Sequence, residues 1–185
     1  MTDVREEPAS LSIQHYRIGL GLLLLVGGVL RVFDLSILPE GLYCDEAANG
    51  YDAYSLLTTG KATDGQPYPL FLNHHGMDYV EFLYTYLTIP FVALFGLDVF
   101  STRIVAALAG TLGILTSSLI GRQLFGKMGG LAVGLLVALY PWKIVFSRVA
   151  FRGILLPLFL TLSVYLFLRS LDDRRFCHSA ASPSV

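Results

Sequence analysis

Charge is what this sequence has least of. Only 15% of its 185 residues are charged, where a soluble domain carries about 25%. The deficit falls in long apolar runs, and 54% of the chain is hydrophobic, which points to a polytopic membrane protein. Net charge is -1, so no basic field recommends nucleic acid as a partner. Cysteine is equally sparse. Cys44 and Cys177 lie far apart without CxxC or zinc spacing, which excludes a disulfide or metal framework built on them. No acid occurs between Pro141 and Arg169.

Acid is concentrated instead in Gly41-Leu-Tyr-Cys-Asp-Glu-Ala-Ala-Asn-Gly-Tyr-Asp-Ala-Tyr54, just after the first apolar run. A helix over 45–57 would place Asp45, Asn49 and Asp52 at i, i+4 and i+7, on one face. Tyr51 and Tyr54 flank that face and could stack on a ring or sit in the interface. Carboxylates beside a membrane suit a general base or a cation ligand. The plainer reading makes Asp45 the cap of a short interfacial helix.

In chain order, polar residues 1–15 read as a short cytoplasmic tail. Tyr16 to about Leu38 is a first span, with Arg31 and Asp34 placed to pair and snorkel at its far end. An uncleaved anchor is expected there rather than a signal peptide, because no small-residue cleavage site follows. The loop at 60–69 is rich in turn residues. His74 and His75 follow, adjacent and so poorly aimed at one metal; they read as loop residues with a donor role toward phosphate open to them. Phe100–Ile120, Met128–Phe146 and Gly153–Leu168 are further spans, the first of them carrying small residues for close helix contact. Tyr79–Leu97 holds Glu81 and Pro90 and falls short of the roughly 20 residues of a crossing, so it suits a helix on the membrane surface. Four spans result, or five if that segment crosses, and the distribution of positive charge does not separate the two. With four, the loop holding Lys143, Arg148 and Arg152 faces the same side as Asp45, where cations could hold a phosphate while the acid handles a proton. Those cations could equally snorkel or bind headgroups.

Together these residues resemble the polytopic C-class glycosyltransferases that use lipid-phosphate-linked sugars, the protein mannosyltransferase and aminoarabinose transferase group. The resemblance rests on the acidic loop, Leu94-Phe-Gly-Leu-Asp-Val-Phe-Ser-Thr-Arg103, Gly121-Arg-Gln-Leu-Phe-Gly126, Tyr140-Pro-Trp142 and Phe146-Ser-Arg148, in the family's order over about residues 16–170. It implies an all-α membrane protein of about four transmembrane helices, with amphipathic juxtamembrane helices in a large first outer loop. The division expected is tail 1–15, N-terminal glycosyltransferase module 16–170 and polar tail 171–185, the chain matching only the family's N-terminal part. By the same resemblance the pocket is extracytoplasmic and transfer from a polyprenyl-phosphate sugar to a lipid, protein or glycan hydroxyl is inverting. Asp45 is then the base and Glu46 its helper, while Tyr51, Asp52, His74, His75, Arg148 and Arg152 bind substrate. Some relatives use a divalent metal, Mg or Mn, for which Asp45 and Glu46 are the candidates here. The alternative is a non-catalytic or truncated membrane protein that binds a lipid phosphate.

Overall fold

The computed structural model describes residues 11–74 and 78–180, the side chains of 74, 78 and 173–180 excepted. Its elements in order are α1 (Ile13–Val32), α2 (Cys44–Thr59), β1 (Phe71–His74), β2 (Asp78–Glu81), α3 (Leu83–Phe95), α4 (Val99–Leu139), α5 (Pro141–Phe146), a 3₁₀ turn (Arg152–Ile154) and α6 (Leu155–Ala180).

Among the described residues three helical stretches are long and apolar enough to cross a membrane: α1, α4 and Arg152–Asp172. The 41 residues of α4 are not one rod. Gly126 adopts φ 75°, a left-handed conformation that glycine reaches without a Cβ clash. The chain reverses there. Ser118, twelve residues before Gly130, donates its hydroxyl to the Gly130 carbonyl at 2.9 Å, whereas a straight helix would separate them by about 18 Å. Arms 99–125 and 127–139 therefore lie antiparallel, and with α1 and α6 they make a bundle of four rods. Tyr16, Arg122 and Asp172 share one end, through the Tyr16–Arg122 stacking and the Gln123–Asp172 hydrogen bond. Glu46, Arg103 and Ala150 share the other. That matches the arrangement of four expected spans: the arm 127–139 is followed directly by α5 to Phe146, whereas α3 ends after 13 residues at Gly96.

At the second end, α2, α3 and a two-stranded antiparallel hairpin form a cap. The segment expected as one surface helix over Tyr79–Leu97 begins instead as β2, pairing Val80 with Leu72 and Glu81 with Phe71. Alternation explains it: Leu72 and Val80 are buried with Leu56 and Ala62, while Phe71 and Tyr79 face outward. His74 is thus a strand residue rather than a loop residue; His75 lies outside the described residues. At the other terminus the α6 backbone continues to Ala180, into the polar tail expected from residue 171.

Arg31 corrects a second expectation. It neither snorkels nor pairs with Asp34 but is fully buried, while Asp34 is exposed. Its guanidinium donates to the carbonyls of Gly27 at 2.8 Å and of Ala138 and Val137 at 3.2 Å each, and to Ser147 Oγ at 3.3 Å. The cause lies in Pro141. Lacking an N–H, it cannot satisfy the Val137 carbonyl four residues back, and the break at Tyr140 also orphans Ala138. Arg31 takes up both carbonyls. Gly110 makes the crossing tight, since a Cβ there would overlap the Ser147 hydroxyl.

Candidate active site

The N-terminus of α2 is built around Glu46 rather than Asp45. Helix α2 starts at Cys44 and buries Glu46, Asn49, Asp52, Ala53 and Leu56, so the inward face runs through 46, 49, 53 and 56. Asp45 falls with Asn49 and Asp52 on the side of α2 that the i, i+4, i+7 spacing predicted, but it is exposed where they are buried.

Both Glu46 oxygens are fully engaged. Oε1 accepts from Arg103 Nε at 2.9 Å and from the Ala150 N–H at 2.7 Å. Oε2 accepts from Arg103 Nη2 at 3.0 Å and from the Tyr43 N–H at 3.1 Å, the last tying down the helix start. Burial alone would raise the Glu46 pKa, but the Arg103 hydrogen bonds, the Ala150 and Tyr43 N–H groups and the Arg103 charge outweigh it, so the carboxyl sits below its ordinary value. Arg103 spends its remaining donors on the carbonyls of Leu35 at 3.3 Å, Pro39 at 2.9 Å and Gly41 at 2.6 Å. With these, all five guanidinium N–H groups are satisfied. The irregular stretch between α1 and α2 is folded around this one side chain.

Three residues along α2, Asn49 completes the attachment. Its Nδ2 donates to the Ala150 carbonyl at 3.1 Å, and its Oδ1 accepts from Thr85 Oγ1 at 3.3 Å. Both the N–H and the C=O of Ala150 are therefore held by α2. This fixes the 147–151 stretch against the acid pair.

Between them opens a cleft of about 380 Å³, walled by Tyr43, Val145, Phe146, Val149 and Phe151, with Asp45 and Glu46 in its lining. Phe146 and Phe151 meet edge to face at 5.6 Å, and Trp142 leans on Phe146 at 5.0 Å. Among the described residues Asp45 makes no hydrogen bond or ion pair. The cleft is apolar, with one solvent-facing carboxylate.

The other expected site residues distribute unevenly. Arg148 anchors the C-terminal end of α1, donating to Leu30 O at 2.8 Å and to Phe33 O and Leu38 O at 2.6 and 3.2 Å, a position the helix dipole favours. Partial burial lowers the Arg148 pKa, Asp34 opposes this and Arg103 adds to it. Arg152 sits 3.9 Å from Glu81. Asp52 is buried and accepts from the Thr63 N–H at 3.0 Å and its hydroxyl at 2.6 Å, which secures the 60–69 loop. Tyr51 is 60% exposed on the outer side of α2. The structure thus brings Asp45 and Glu46 to the 145–151 wall that leads into Arg152, and leaves Tyr51 and Asp52 elsewhere.

A divalent metal does not fit this donor set. Glu46 has no lone pair to spare, and among the described residues no three His, Cys, Asp or Glu side chains converge.

Arg103 and Ala150 escaped sequence reasoning. A backbone amide carries no sequence signal. Arg103 closes a quoted motif, and an arginine at the head of an apolar span could have been matched to the nearest unassigned acid.

Long apolar rods in a four-rod bundle, capped at one end, define an integral membrane protein. The sequence pattern of the dolichyl-phosphate-mannose-protein mannosyltransferase family matches residues 81–181, more than half of the chain, and the chain belongs to that family. The family is one of membrane glycosyltransferases with lipid-phosphate sugar donors. The match begins after α2, so it takes in Arg103, Arg148 and Arg152 but not Asp45. No curated protein and no solved structure matches.

Proposed function

We propose that this chain forms the acid-bearing module of an inverting glycosyltransferase that takes its sugar from a polyprenyl-phosphate donor and works at the extracytoplasmic face. The observation that carries this is the division of labour between two adjacent acids. Glu46 is consumed in fixing the cleft wall, which leaves Asp45 as its one solvent-facing carboxylate. The acceptor hydroxyl gives its proton to Asp45 as its oxygen attacks the anomeric carbon. The bond from that carbon to the phosphate oxygen breaks, and the polyprenyl phosphate leaves with the electron pair. Attack opposite the leaving group inverts the anomeric centre.

The aromatic wall excludes water and suits the first isoprene units of a donor. The leaving phosphate needs positive charge rather than a protonating acid. Arg148 and Arg152 bracket the 149–151 wall and supply it through their fields, the Nη donors of Arg148 being spent on carbonyls and Arg152 lying 3.9 Å from Glu81. Glu46 positions; it does not touch substrate.

The test is sugar transfer from a polyprenyl-phosphate sugar by Asp45→Asn and Asp45→Glu variants in membranes. Asparagine should reduce transfer by about 10²–10⁴-fold, the usual scale for losing a general base, with insertion unchanged, and glutamate should restore a part. Wild-type transfer by Asp45→Asn would remove this residue from the mechanism.

A further inference from the structure

Three aromatic rings line the cleft that holds Asp45, and one of them is idle. Phe146 and Phe151 already meet each other edge to face at 5.6 Å, and Trp142 leans on Phe146 at 5.0 Å. Tyr43, the third ring of the lining, makes no ring contact among the described residues. At 77% it is also the most exposed aromatic side chain among them, so its ring is open to a ligand.

Its mount is rigid. The Tyr43 N–H donates to Glu46 Oε2 at 3.1 Å, and its carbonyl accepts from the Ala47 N–H at 3.0 Å. Two residues earlier, Arg103 Nη2 holds the Gly41 carbonyl at 2.6 Å. A ring displayed on a pinned backbone gives up little further freedom when a ligand covers it. The rest of the lining decides which ligand. Its polar side chains are those of Tyr43, Asp45 and Glu46. Glu46 already accepts four hydrogen bonds, and both the N–H and the C=O of Ala150 are taken. A sugar seated there finds few partners for its hydroxyls. Its ring is amphipathic, however. Hydroxyls radiate from the rim while C–H bonds gather on a face, and their partly positive hydrogens suit the negative face of an aromatic ring.

We propose that Tyr43 is the platform on which the transferred pyranose stacks, through a C–H face, beside Asp45; this rests on the transfer reaction given above. Tyr43 is the N-cap of α2 and Asp45 its second residue, so platform and base ride on one turn. The isoprenoid keeps the Phe146–Phe151 side of the cleft. A sugar held by its face is not read hydroxyl by hydroxyl, so pyranoses that differ at one carbon share the seat. A tyrosine that merely sits in the membrane interface uses its hydroxyl there and makes no difference to a sugar.

The experiment measures binding without turnover. Trp142, the only tryptophan of the chain, packs on Phe146 of the cleft and reports occupancy through its fluorescence. The full chain in detergent is titrated with citronellyl methyl phosphate and with mannosyl and glucosyl citronellyl phosphates, all singly charged diesters. Both sugars should tighten binding over the methyl diester. Tyr43→Leu should weaken the sugar diesters about two- to tenfold, the scale of one aromatic contact, and leave the methyl diester unchanged. Tyr43→Phe should keep the gain from the sugar, as should Tyr79→Leu, which removes an exposed tyrosine from the hairpin. The proposal is overturned if neither sugar adds affinity to the native chain, if Tyr43→Leu keeps the gain, or if Tyr43→Phe or Tyr79→Leu loses it. Equal weakening of the methyl diester in Tyr43→Leu would also overturn it, because the ring would then serve the fold or the lipid tail. Loss of the gain in Tyr43→Leu together with wild-type transfer by Asp45→Asn would uphold the platform and remove the base.

Discussion

Exchanging Glu46 for glutamine replaces one oxygen by an NH₂ group at the centre of the cap, and the structure says what that costs. The native carboxylate accepts four hydrogen bonds, two of them from Arg103 and two from backbone N–H groups. A glutamine amide can accept on one side only, so its own donor then faces the N–H groups of Arg103 or of the backbone. Arg103 is 1% exposed and would be left as a buried charge with only carbonyls around it. Removing one partner of a buried pair costs about 3–5 kcal/mol, or roughly two to three and a half powers of ten in the folding equilibrium. Asp45→Asn, at an exposed position without partners, should stay within about 0.5 kcal/mol of wild type. Denaturant unfolding in mild detergent, followed by helical circular dichroism, measures both. Arg103→Leu should match Glu46→Gln in size, and Glu46→Leu combined with Arg103→Leu should recover part of the loss because neither charge remains buried alone. If Glu46→Gln were as stable as wild type while Asp45→Asn unfolded early, the roles assigned to the two acids would be reversed.

Acid sensitivity follows from the same contact. The folded-state pKa of Glu46 lies below its ordinary value of 4.5, so its stabilisation is complete above about that pH and drains away as pH falls through the lowered value. A Glu46→Gln variant should therefore show a flatter stability profile below pH 4.5, which an acid titration of the unfolding midpoint would reveal. Gly110→Ala should cost about 1–3 kcal/mol, since the added methyl meets Ser147 and would displace the Arg31 bonds; a thermal midpoint equal to wild type would contradict the close crossing. Exposed Cys44 and an introduced Lys127→Cys should react with a membrane-impermeant thiol reagent from opposite sides of sealed vesicles, and labelling of both from one side would refute the four-rod topology.

Much of this architecture is legible in the chain. Apolar runs announce the rods, Gly126 the reversal, and the early acids the region of interest. Periodicity finds the inward side of α2 but not which of its two adjacent acids is seated: 45, 49 and 52 and also 46, 49, 53 and 56 lie within one wide arc, yet Glu46 is buried and Asp45 exposed. The choice is made by contacts with Arg103 and Ala150, 57 and 104 residues away from Glu46, and no window along the sequence sees them. The hairpin was hidden for a related reason: Tyr79–Glu81 runs into an apolar helix, and its strand character shows only when Leu72 is available to pair with Val80. Arg31 was misread because snorkelling is judged from a side chain and its depth alone. The carbonyls that captured it are vacant because of a proline more than a hundred residues later. The family match takes in the arginines and stops short of the acid, so the role of Asp45 rests on geometry.

The 33–43 connection has almost no regular structure of its own, and two guanidinium groups gather its carbonyls: Arg103 takes Leu35, Pro39 and Gly41, and Arg148 takes Phe33 and Leu38. Both cations reach the ribosome's exit long after the strand they organise. Until Arg103 and Ala150 have been made, the Glu46 carboxylate lacks three of its four hydrogen-bond donors. A chain that stopped before residue 148 would keep the Arg103 contacts but lack the donors that Arg148 gives to Phe33 and Leu38 and the Ala150 N–H that Glu46 accepts.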